Sequence, residues 1–168
     1  MDYRTELLNM INKFNIESVE EFKEAELLIA HDSKFRSIRK KKDYDGHVRK
    51  LRQVKSKALR IDPKSVKIPE SDTETTQLRK EFERCLLTFS AVCDGYVQMQ
   101  LILKEKSEGA NISYGQFKEI NNKVKAARAK LNDNLDEMNI TYSNFTVYTF
   151  DDNSDDLAGV EYKTYDQL

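Results

Sequence analysis

Turn-forming residues are scarce in this chain, whose 168 residues include only two prolines and five glycines. That shortage excludes a turn-rich all-β fold. Tryptophan is absent, and the only histidines are His31 and His47, neither within a motif. A carboxylate-bridged di-iron bundle needs Glu-x-x-His pairs, but Leu28 and Tyr44 stand three residues before the two histidines. A Gly-rich phosphate loop, a Cys-x-x-Cys pair and a nucleophile elbow are also missing. The expectation is therefore of no enzyme, no metal and no cofactor. No run of apolar residues approaches the 18 or so that a membrane helix needs, so no membrane span is expected. Met1 to Glu6 lack the basic start and apolar core of a secretory signal, which favours a cytoplasmic protein.

Cysteine is nearly absent too. Cys85 and Cys93 lie eight residues apart in one expected helix, separated by about 12 Å of rise, too far for a disulfide. Buried free thiols are the expectation.

The charges are plentiful and segregated. The formal net charge is −1. Residues 1–33 nevertheless hold three basic and eight acidic side chains, and residues 34–60 hold twelve basic and two acidic. Residues 138–168 are acidic again, with one basic side chain against six acidic.

Helical periodicity runs through most of the chain. Leu78, Phe82, Cys85, Phe89, Val92, Tyr96, Met99 and Leu103 alternate steps of four and three, the stripe of a helix packed on another helix. Leu86, Leu87, Ala91, Val97, Leu101 and Ile102 add apolar surface beside it, as in a helix surrounded by others. Asp94-Gly95 could kink this helix, and Gly109 is placed to end it. Leu7, Leu8, Ile11 and Phe14 mark a shorter run, followed by Val19, Phe22, Ala25, Leu28 or Ile29, Phe35 and Ile38. The pattern stalls at Asp43–Gly46 and resumes at Val48, Leu51, Val54, Ala58 and Ile61 until Asp62-Pro63. Residues 62–70 read as an exposed connection. A final stripe comprises Phe117, Ile120, Val124, Ala127, Leu131, Leu135 and Met138.

Three capping boxes mark helix starts, at Ser18 with Glu21, Ser71 with Glu74 and Ser113 with Gln116. The glutamates crowding the first of them suit a helix N-terminus better than a metal site. The short spacing after Gly109 predicts an antiparallel hairpin of the last two helices.

The expected fold is all-α, an antiparallel four- to five-helix bundle around a long central helix at about 72–107. Residues 1–139 form the bundle, with a basic stretch at 34–60 and a linker at 61–71. Residues 140–168 are an aromatic and acidic segment, read as non-helical because β-branched and aromatic residues alternate from Ile140 to Phe150. It is either a β-hairpin or an extended acidic tail.

Two candidate surfaces stand out. Lys34, Arg36, Arg39, Lys40, Lys41, Lys42, Arg49, Lys50, Arg52 and Lys55 could bind nucleic acid or another polyanion, without base reading, since Tyr44 is the one aromatic suited to stacking inside the block. The same cations could instead answer the chain's own acids. Tyr142, Phe145, Tyr148 and Phe150 could anchor a protein partner, or cap one end of the bundle. The leading functional expectation is a non-catalytic interaction protein, an adaptor or regulator. Its heptads also allow self-association. Polyanion binding comes second and an enzyme third.

Overall fold

The computed structural model describes residues 2–34 and 42–151, with side chains at 2–31 and 42–145. The bundle runs up, down, up and down. Its first rod joins α1 (Tyr3–Phe14), a π-helical segment (Asn15–Val19) and α2 (Glu20–Lys34) without a break. The other rods are α3 (Tyr44–Leu59), α4 (Thr73–Ser107) and α5 (Tyr114–Asp151). The expected all-α bundle is present, and α4 is its central element.

The side-chain pairs give the directions. Lys55 meets Asp94 and Lys104 meets Asp45, so α3 and α4 are antiparallel. Thr88 meets Asn134 and Arg84 meets Glu137, which makes α4 and α5 the expected antiparallel hairpin. Gly95 lets these two approach, because a Cβ there would lie 3.0 Å from Val124 Cγ2. The glycine serves close packing, and α4 is one uninterrupted helix across it.

Phe14 and Phe22 both pack on Phe89, with ring centroids at 5.2 and 5.5 Å. Eight residues of regular α-helix would place them about 80° out of line. The wider turn of the π segment takes up that excess, so both rings face α4. Ser18 therefore starts no helix. It is buried inside the π segment, and its hydroxyl has no hydrogen-bond partner among the described residues.

The other caps divide. Ser113 and Gln116 form the expected reciprocal box. At the start of α4 the cap is Asp72, one residue after Ser71, with its Oδ1 accepting from the Thr75 N–H at 3.1 Å. Gly109, at φ +100°, ends the helix, and the Ala110 N–H donates to the Glu105 carbonyl.

Three further expectations need correction, and one alternative is settled. The connection 62–70 is not wholly exposed, since Pro63 and Val66 are buried. Helix α4 has an open side, where Leu87 is 72% exposed. Ile29, not Leu28, belongs to the core stripe. Residues 140–151 continue α5 instead of leaving the helix, because Met138, Tyr142 and Phe145 extend its stripe at steps of four and three. Residues 152–168, where the hairpin or tail was expected, lie outside the described residues.

Candidate interaction surface

Helix α3 buries Val48, Leu51, Val54 and Ala58 and turns its cations outward from them. Asp43 fixes its start by accepting the Gly46 N–H at 2.8 Å. The cations then sort by type. Lys55 reaches Asp94 of α4 at 2.6 Å, and Lys57 reaches Glu21 of α2 at 2.5 Å. Lys50 lies 3.9 Å from Glu24. All three α3 lysines thus face acids of neighbouring helices.

Arg49, Arg52 and Arg60 are exposed and make no ion pair among the described residues, and the same holds for Lys42. The arginines fall at helical steps of three and eight, giving a strip about 16 Å long on the outward face of α3 and its C-terminal cap, Arg60. Guanidinium groups at such positions suit carboxylates or phosphates, which they hold by paired hydrogen bonds. Of the other expected polyanion ligands, Arg36, Arg39, Lys40 and Lys41 lie outside the described residues. Lys34 ends α2, and its side chain is likewise outside them.

The aromatic candidates lie elsewhere. Phe145 is buried with the Arg4 guanidinium 5.8 Å from its ring centre, and Tyr142 is half-buried against the core. Both rings cap the end of the bundle. Tyr148 and Phe150 sit on the last turns of α5, and their side chains are outside the described residues.

The sequence reading missed a polar tie across three helices. Glu26 of α2 accepts from Arg128 Nε and Nη2 of α5 at 2.9 and 3.0 Å, and from the Tyr96 hydroxyl of α4 at 2.7 Å. Burial, then the bond to Glu26, pushes the Tyr96 hydroxyl well above its ordinary pKa. These groups are locked to one another, and Arg128 also lies 5.5 Å from the Phe22 ring centre. Beside them, between the first rod and α5, runs a groove of about 630 Å³ floored by Val19, Phe22, Leu131 and Leu135.

The outer side of the first rod was missed as well. Ile16, Leu27 and Leu28 are 62%, 70% and 56% exposed, among the exposed acids Glu17, Glu20 and Glu24. Ile16 and Leu27 are apolar residues left off the core stripe, and that was the available signal.

The histidines do not meet. His47 Nδ1 lies 3.0 Å from Gln100 Oε1 between α3 and α4, whereas His31 is near the end of α2. Among the described residues no three His, Cys, Asp or Glu side chains gather as a metal site requires. No unbroken apolar run is present, but an 18-residue window of α4 reaches a mean hydropathy of 1.3, so that helix is long and apolar enough to cross a membrane by length and composition. In the fold, Phe82, Phe89, Val92 and Val97 of that helix are covered by its neighbours. The chain matches no protein-family model, no curated protein and no solved structure.

Proposed function

We propose that this chain is a non-catalytic helical-bundle protein that binds a macromolecular partner, with the outward face of α3 as the docking surface. The carrying observation is the strip of Arg49, Arg52 and Arg60, which is exposed while the α3 lysines are paired within the bundle. Acids flank the strip on both sides, Asp45 and Asp94 toward α4 and Glu21 and Glu24 toward α2. A narrow acidic element of a protein fits between them better than a broad polyanion does.

A second reading, nucleic-acid binding, draws on the same arginines. It is separable by salt. Three phosphate contacts give a slope of about −2.7, so raising salt from 50 to 200 mM weakens binding roughly 40-fold. The test titrates the full chain into a labelled acidic helical peptide, duplex DNA and single-stranded RNA at both salt concentrations. Peptide binding that falls at least about tenfold in R49E/R52E/R60E supports the first reading. Nucleic-acid binding with the steep salt slope supports the second. Binding that the triple reversal leaves unchanged, or no binding of any probe, overturns both.

A further inference from the structure

The strip on α3 calls for a narrow acidic element, and the described part of this chain holds one. The outer side of the first rod presents Ile16, Glu17, Glu20, Glu24, Leu27 and Leu28. Within one molecule it does not meet the arginine strip. The side of α2 that faces α3 is filled by the Glu21–Lys57 pair, and Glu24 sits at the rim of that seam, largely exposed and 3.9 Å from Lys50.

We infer that the partner of the α3 strip is the first rod of a second copy, and that two chains form a symmetric dimer through their α2–α3 faces. This rests on the reading of α3 as a docking surface. A two-fold axis parallel to the helices lays α2 of each copy along α3 of the other, so one set of complementary contacts forms twice. A pure rotation adds no slide along its axis. The level of each residue is therefore kept, and the internal pairs Glu21–Lys57 and Glu24–Lys50 set the register between copies. Glu20 falls near the level of the partner copy's Arg60, and Glu24 near that of its Arg52. Leu27 and Leu28 reach the turn that bears Arg49. The aliphatic stems of the three arginines supply the apolar cover that these leucines and Ile16 lack. The charges complement at Arg52 and Arg60, which favours this pairing over a like-on-like arrangement of two acidic rods.

Sedimentation of the 19.6 kDa chain at micromolar concentrations tests the inference. The expected result is a doubling of the mass as concentration rises. E20K/E24K and R52E/R60E, each checked for helical content, are expected to sediment as monomers. Mixed in equal amounts they regain the doubled mass, because lysines on one rod then meet glutamates on the other strip at one contact and the native glutamates meet the native arginines at the other. A wild-type chain that stays monomeric to about 100 μM overturns the dimer. So does a dimer that survives either reversal, or a mixture that stays monomeric. A parallel titration of wild type and R52E/R60E with labelled poly-glutamate separates the two readings. Monomeric wild type that binds poly-glutamate through these arginines leaves α3 a docking surface without self-association. Monomeric wild type that ignores poly-glutamate sinks both.

Discussion

Asp72 shows how one carboxylate can join two ends of a fold. Its Oδ1 accepts from the Thr75 N–H, while Oδ2 accepts from the Thr75 hydroxyl, the Tyr3 hydroxyl and Arg4 Nε. Burial works against its charge, but these donors outweigh it and hold the carboxyl well below the usual carboxylate range. A depressed folded pKa means that this stabilisation is complete above the unfolded value of about 4 and fades as pH falls below it. Between pH 5 and pH 3 the melting temperature of the wild type should therefore fall more than that of Asp72→Asn, as read by thermal circular dichroism. Asp72→Ala should cost about 1 kcal/mol at neutral pH for the lost cap alone. The thiols behave in the opposite sense. Burial pushes Cys85 and Cys93 up to about 12, so neither is a nucleophile at neutral pH.

The three capping boxes mark what a local motif can reveal. Ser113 and Gln116 needed nothing beyond their own turn and formed as read. Ser71 yielded to Asp72 because Tyr3 and Arg4, some seventy positions away, converge on the aspartate. Ser18 was overridden by two phenylalanines that share one ring on another helix. Neither cause is visible within four residues of sequence.

At the scale of the element, the π segment is an extra residue accommodated without a break. From Phe14 to Phe22 the core stripe takes two successive steps of four through Ser18, where regular alternation would put a three. Removing the exposed Glu17 should convert the segment to ordinary α-helix and keep both rings on Phe89. Removing Ser90 from regular α4 turns half of that helix by about 100° against the other half. The expected outcome is a cooperative melt close to wild type for the Glu17 deletion and a lost transition for the Ser90 deletion, both followed at 222 nm. The continuation of α5 to Asp151 was legible in principle. Met138, Tyr142 and Phe145 carry the helical step, but the alternation of threonine with aromatics around them also reads as a strand, and only packing on the bundle decides.

For the whole molecule, the all-α class and the α4–α5 hairpin followed from periodicity, because both depend on contacts that the stripes announce. The division of the cations did not. Which of them pair is set by Glu21, Glu24 and Asp94 on other helices, up to thirty-nine positions away. The packing is also uneven. The first rod and α5 leave a groove between them, and a second opens between the start of α3 and the end of α4, lined by Tyr44, Asp45, Lys104 and Ser107.

An even number of alternating rods brings the chain back to where it began, and the contact of Arg4 with Phe145 marks the meeting point. The order of the helices along the backbone is then a matter of where the ring is cut. Joining the two ends and reopening the chain after Asn111, in the exposed turn between α4 and α5, would put α5 first and α4 last with the same neighbours. Such a permuted chain should retain the helical content and stay within a few degrees of the parent's melting temperature. The bundle would then be specified by which faces meet and not by the sequence in which they are made.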